Sequence, residues 1–300
     1  INSSAIPQQW AYLQATNVSW VFVAGTTGEG VSLTTEERKE LTGAWLKTTA
    51  RVVAHVGAES VETSRELARH AEQAGALAVA AMPPTFFKPA TVEALAKTMA
   101  SICAAAPALP CYYYHVPSMT GVTFAMIDLV EAIDAMDSFS NFAGVKYTGL
   151  MVSPGYEDAL QVLAYGGGKY ECLAGREEMM LSSLAVGFRG HVGSQFNVFG
   201  DLYSQLLSHD LTAGESALDT LRHLQLKAIA SLNAQRLPDK TLNAHKRFLT
   251  YAGVPVGDAR LPSLPFDSRA DAQLRASFDA FCLQNPDLYV CRHEGVTPDE

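Results

Sequence analysis

Short apolar runs alternate with amphipathic stretches over the first two thirds of the chain, a pattern that predicts strands alternating with helices. Ile6, Trp10, Leu13 and Gln14 lie at near-helical spacing, and residues 19–25 follow as an apolar strand. Beyond the turn Gly25-Thr-Thr-Gly-Glu-Gly30, Thr34 and Glu37 form a capping box for an amphipathic helix that runs through Leu46. Further strands are predicted over 51–57, 76–84, 109–115, 141–148, 170–174 and 187–194. Helices are predicted over 60–75, ending on Gly75, over 91–106, through Ile133, and from Gly175-Arg-Glu-Glu178 onward. From Leu202 the pattern is helical throughout, over 202–233, 241–252 and 267–283, and Val290–Glu300 is polar without a period.

Repeated βα units with no composition break imply a parallel sheet with right-handed crossovers. That many units in one domain fit either a (β/α)8 barrel or a doubly wound sheet, and both place chemistry at strand C-termini. The predicted boundaries are a barrel over 1–200, a helical extension over 201–285 and a mobile tail over 286–300. Seven strands are visible in a chain that starts at Ile1, so an eight-stranded barrel is expected to have its first strand missing through truncation.

Composition narrows the partners. Apolar residues make up 48% and charged residues 18% of 300, a globular balance, and a net charge of -9 disfavours a nucleic-acid surface. The longest apolar run, Ala74–Pro84, is far short of the ~18 residues that cross a membrane, so a cytoplasmic protein with small-molecule partners is expected. Cys103, Cys111, Cys172, Cys282 and Cys291 are scattered, with neither CxxC nor Cys/His spacing, so neither a disulfide framework nor a metal site is expected.

The strand Asn141-Phe-Ala-Gly-Val-Lys-Tyr-Thr148 closes on Lys146. A lysine in an apolar strand needs an ion-pair partner or a lowered pKa, and the neutral amine is the form that attacks a carbonyl carbon to make a Schiff base. Snorkelling to solvent is the alternative. Gly25-Thr-Thr-Gly-Glu-Gly30 offers hydroxyl and backbone donors for a carboxylate, or is an ordinary βα turn, and it lacks nucleotide glycine spacing. Alternation sends Tyr112 and Tyr114 to one face and Tyr113 to the other. Tyr114 is a proton shuttle if it faces Lys146 and core otherwise, while His115 reads as a satisfied structural histidine. Glu177 and Glu178 suit a helix start through its dipole, or, with Ser194, a polyhydroxylated substrate.

Taken together, GTTGEG at 25–30, YYYHVPSMTG at 112–121, GVKYT at 144–148, GREE at 175–178, GSQFN at 193–197 and Gly253-Val-Pro-Val-Gly257 with Arg260-Leu-Pro262 carry a resemblance. The chain resembles the pyruvate-dependent class I aldolase family that contains N-acetylneuraminate lyases and dihydrodipicolinate synthases. The resemblance implies a (β/α)8 barrel with extra C-terminal helices, usually a homotetramer, and no cofactor beyond a covalent Schiff base on Lys146. It further implies that Tyr114 transfers protons, that Thr26 and Thr27 hold the pyruvate carboxylate, and that Thr148, Gly175, Glu177, Glu178 and Ser194 contact the sugar.

Within the family, Met119 stands where synthases carry an arginine for a second carboxylate, and Pro84-Thr-Phe-Phe-Lys-Pro89 has no phenol where they carry a tyrosine that supports proton relay. The chain is therefore more similar to the lyases, and reversible cleavage of N-acetylneuraminate to pyruvate and an amino sugar is the expected activity. Glu177 replaces the lyase aspartate, and Arg176 and Gln195 also depart from the pattern. The alternatives are a dihydrodipicolinate synthase-like enzyme, another 2-keto-3-deoxy sugar acid aldolase or dehydratase, and a barrel that binds a sugar acid without turnover.

Overall fold

A computed structural model describes residues 1–136, 139–150, 154–208, 215–235 and 241–292. Seven strands pair in chain order: β1 (Val21–Val23), β2 (Val52–His55), β3 (Ala78–Ala81), β4 (Cys111–His115), β5 (Phe142–Tyr147), β6 (Glu171–Ala174) and β7 (Gly190–His191). Every pairing is parallel. A doubly wound sheet reverses its strand order at a switch point, so this sequential order selects the barrel-type alternative. The helices up to β7 are α1 (Ile6–Ala15), α2 (Thr35–Thr48), α3 (Val61–Gln73), α4 (Val92–Cys103), α5 (Pro117–Thr120), α6 (Met126–Asp134), α7 (Gly155–Ala164) and α8 (Met180–Val186). After the last strand come α9 (Phe196–Ser208), α10 (Glu215–Ala234), α11 (Thr241–Tyr251), α12 (Ser268–Gln284) and α13 (Tyr289–Arg292).

The structure departs from the predicted elements at several places. The seventh strand is two residues long, because Gly187 at φ 107° ends α8 with its N–H on the Ser183 carbonyl. The helix α7 is not among the predicted elements, and of the helix predicted over 202–233 the described residues form α9 and α10, with 209–214 lying outside the described residues. Residues 293–300 of the predicted tail lie outside the described residues, whereas Tyr289–Arg292 is helical.

Contacts group the chain into two units, one of Trp20–Arg176 with Ser183–Val192 and one of Ile1–Ser19, Glu177–Ser182 and Gly193–Glu300. In the sheet unit, alternate strand side chains meet the helix layer: Tyr113, Val145 and Tyr147 join Leu95, Met99, Ile102, Leu129, Ile133 and Val162 in the main core. Each such side chain contributes about 1.5–3 kcal/mol when fully buried. The helical unit is held by rings, with Phe199 5.2 Å from Phe281 and Phe248 4.9 Å from Phe278. There, Tyr12 donates to the Val198 carbonyl at 2.7 Å.

Strand β5 is fixed at both ends. Near its start one extra residue is inserted, because Cys111 faces Phe142 while Tyr112 faces Gly144, leaving Ala143 unpaired. Gly144 takes φ 153°, and a β-carbon there would lie 2.0 Å from the Glu171 carbonyl oxygen, so only glycine fits the bulge. At its end, the Tyr147 hydroxyl donates to Asp158 at 2.8 Å, and the same buried carboxylate accepts the Met126 and Ile127 N–H groups at 2.7 and 2.8 Å. A carboxylate at the first turn of α6 satisfies orphan donors and complements the helix dipole.

Two disulfides correct the sequence expectation. Cys103 at the end of α4 bonds Cys111 at the start of β4, and Cys282 bonds Cys291, with Cα atoms 5.8 and 5.0 Å apart. The chain folds back between α4 and β4, so positions without a recognisable cysteine motif come within bonding reach. Loops this short contribute roughly 2–3 kcal/mol per bridge in the chain-entropy view. Cys172 is buried as a free thiol, and burial pushes its pKa up to about 12. The protein unfolded without reductant should therefore titrate as one thiol per chain, rising to five after reduction; five at the outset would rule out both bridges.

Candidate active site

In the sheet unit the chemistry gathers on the face opposite the main core. The bulge in β5 sets the register so that Lys146 lies directly beside Tyr114 of β4. Both are buried, at 6% and 5% exposure, so Lys146 does not snorkel to bulk water. Its Nζ lies 4.0 Å from the ring centroid of Tyr114 and 4.0 Å from that of Phe22. Tyr114 joins Met82, Val116 and Phe22 in a small apolar cluster, while Tyr113 is in the main core, as alternation predicted. The Tyr114 hydroxyl is 3.0 Å from the Thr26 hydroxyl, which ties the phenol to the turn after β1.

That turn is built tightly. Ala24 leaves β1 at φ 57°, a left-handed conformation that disfavours a β-carbon by about 1–2 kcal/mol. The N–H groups of Glu29 and Gly30 close the turn onto the carbonyls of Thr26 and Gly25, leaving Thr26 exposed and Thr27 half-buried. Beneath it lies His55, the last residue of β2, whose Nδ1–H donates to the Ala24 carbonyl at 2.9 Å. Arg38 of α2 donates to the carbonyls of His55 and Gly57 at 2.7 and 2.9 Å. Burial, with Arg38 and then Lys146 nearby, pushes the His55 pKa down to about 3, so its ring is neutral.

At the ends of β5 and β6, the Thr148 hydroxyl donates to the His115 carbonyl at 2.6 Å, and Arg176 donates to the Thr148 carbonyl at 3.3 Å. Gly175 lies against Thr148, where a β-carbon would meet Cγ2 at 2.2 Å. His115 corrects one expectation, for it is structural but not satisfied. Among the described residues neither ring nitrogen has a hydrogen-bond partner, and burial pushes its pKa down to about 4, so the imidazole is neutral against Tyr147.

The remaining predicted residues belong to the helical unit. The Glu177 side chain is buried against Gly193 and accepts the Gln195 N–H at 2.5 Å. Gln225 of α10 donates to the carbonyls of Glu177 and Glu178, each at 3.2 Å, and accepts the Leu181 N–H at 2.8 Å. Asn197 donates to the Ser194 carbonyl at 3.0 Å. Gln195 is itself buried and bonds both Gln235 and His245.

The structure thus joins Lys146, Tyr114 and Thr26, pairs Thr148 with Gly175, and links Glu177 to the segment that carries Ser194. Sequence reading missed His55 and Arg38. The available signal was a polar residue inside the apolar run Val52-Val-Ala-His-Val56, the same kind of signal that singled out Lys146. Among the described residues no three His, Cys, Asp or Glu side chains converge as a metal site.

An amine and a phenol side by side, with a hydroxyl-bearing turn next to the phenol, can form an imine and move a proton on one keto acid. The model of the dihydrodipicolinate synthetase family matches residues 1–280. The N-acetylneuraminate lyase of Danio rerio is 36% identical over 272 residues, which cover 88% of this chain and 86% of that protein. Among solved structures, Proteus mirabilis N-acetylneuraminate lyase superposes with a TM-score of 0.85 at 30% identity, covering 94% of this chain and 92% of that one. N-acetylneuraminate lyase (sialic acid aldolase) from Aliivibrio salmonicida superposes with a TM-score of 0.85 at 28% identity, covering 94% and 91%.

Proposed function

Because this chain belongs to the dihydrodipicolinate synthetase family, we propose that it is a class I aldolase, a carbon–carbon lyase that reversibly cleaves N-acetylneuraminate to N-acetylmannosamine and pyruvate. The observation that carries this reading is the buried Lys146 amine set against the Tyr114 ring on adjacent strands. Relatives that bear the lyase name over most of their length support the substrate class.

In the unprotonated form, Lys146 adds to the C2 ketone of the open-chain sugar acid and loses water to give a protonated imine. That imine accepts the electron pair of the C3–C4 bond as the Tyr114 phenol relays the C4 hydroxyl proton, receiving it while passing its own proton on toward C3. N-acetylmannosamine leaves, the enamine gains a proton at C3, and water returns pyruvate and the free amine. Thr26 and Thr27 hold the carboxylate, which makes the attack effectively unimolecular. The lysine supplies the covalent chemistry, so the cycle draws on no metal or organic cofactor.

Thr148, Gly175, Glu177, Glu178 and Ser194 are assigned to the sugar in this proposal. The Glu177 carboxylate, in place of an aspartate and bonded to the Gln195 N–H, favours one second reading, a different 2-keto-3-deoxy sugar acid as substrate. A homotetramer is included as well, supported by Phe86 and Phe87, which are 82% and 85% exposed in the single chain. No described helix is long and apolar enough to cross a membrane. A cytoplasmic location belongs to the proposal as well.

Borohydride reduction in the presence of pyruvate is expected to leave a stable adduct on Lys146, located by peptide mass spectrometry. An unlabelled chain would instead support a barrel that binds without turnover. In a panel of sialic acids, aspartate semialdehyde and 2-keto-3-deoxy sugar acids, failure to cleave any sialic acid would remove the lyase assignment.

A further inference from the structure

Behind the Lys146–Tyr114 pair, His55 makes contacts that neither the core nor the proposed chemistry requires of a histidine. It is buried, yet among the described residues its Nε2 has no hydrogen-bond partner, which costs about 1–3 kcal/mol for an orphaned acceptor. An aliphatic residue would avoid that cost. What the imidazole alone supplies is the Nδ1–H bond to the Ala24 carbonyl, at the one residue of the turn after β1 that combines a β-carbon with φ 57° before Thr26. A left-handed non-glycine residue persists only where its surroundings hold it. The same ring stands edge to face against Tyr114, with centroids 5.6 Å apart, and 5.9 Å from Phe22. Those two rings are the ones that flank the Lys146 amine.

We infer that His55 is a positioning residue for the carboxylate of the keto acid: its Nδ1–H holds Ala24 in the left-handed conformation that aims Thr26 and Thr27 at that carboxylate and keeps the Thr26 hydroxyl on the Tyr114 phenol. Arg38 fixes the strand end from the other side through the carbonyls of His55 and Gly57. The ring remains neutral because burial, and then the neighbouring Arg38 guanidinium, disfavour its protonation. This inference rests on the proposed lysine chemistry, and its test separates the two.

The concentration of pyruvate that half-saturates borohydride trapping on Lys146 is the readout, measured in wild type, His55→Leu and His55→Asn, with circular dichroism as the control for folding. Leucine keeps the bulk and loses the donor; the asparagine amide can occupy the place of Nδ1. The leucine variant is expected to need roughly ten times more pyruvate while trapping to the same final extent, and asparagine to restore most of the affinity. If leucine does not fold, His55→Gln replaces it, because its amide lies near Nε2 rather than Nδ1 and should show the same tenfold defect. An unchanged half-saturation in the leucine or glutamine variant, or an asparagine variant as weak as leucine, overturns the role of His55. A wild type that traps no pyruvate overturns the lysine chemistry and this inference together.

Discussion

Lys146→Ala is expected to lose at least about 10⁴-fold in cleavage rate, because removing a covalent nucleophile removes the route and not just an interaction. The protein should still fold. Lys146 projects from the sheet face opposite the main core, so truncation leaves the cluster of Tyr113, Val145, Tyr147 and the helix residues around them intact. The measurement is pyruvate release from N-acetylneuraminate, with circular dichroism and melting temperature alongside. Wild-type turnover in that variant would refute the imine route, whatever the borohydride result.

Tyr114→Phe should have the next largest effect, a fall in kcat of roughly 10²–10⁴-fold, the range for a lost general acid or base. The ring would stay in its cluster and against the amine, since phenylalanine retains both contacts. Only the hydroxyl, and with it the bond to Thr26, would go. The expected signature is therefore split: turnover collapses, whereas borohydride still traps pyruvate on Lys146 and KM moves only a few-fold. If turnover is unchanged, the phenol has no part in proton transfer.

The parts of the site legible from sequence were those set by local pattern. Alternation alone separated Tyr112 and Tyr114 from Tyr113, and a charge inside an apolar strand marked Lys146. What sequence could not provide was contact between distant residues. His55 matters through Ala24, 31 positions away, and no periodicity links the two. The cysteine bridges were missed although their partners are close in sequence, because no motif marks them: Cys103 and Cys111 meet where α4 turns back into β4, and Cys282 and Cys291 where α12 gives way to α13. The helix α7 was overlooked, with Asp158, Ala159 and Val162 its inward residues, so the carboxylate that anchors the end of β5 went unnoticed. The orientation of Lys146 was undecidable from alternation. Counting by twos from Phe142, which faces the helices, assigns Lys146 to the helix side, and only the unpaired Ala143 reverses that phase.

This phase slip carries a lesson for transplantation. Copying Phe-Ala-Gly-Val-Lys-Tyr onto a regular strand of another scaffold, with its first residue toward the helices, would deliver the nucleophile to the layer beneath them, walled off from any keto acid, although every copied letter were correct. The portable unit begins at Phe142 and includes the odd residue, Ala143, together with a neighbouring strand whose carbonyl, like that of Glu171, crowds out everything larger than glycine at position 144.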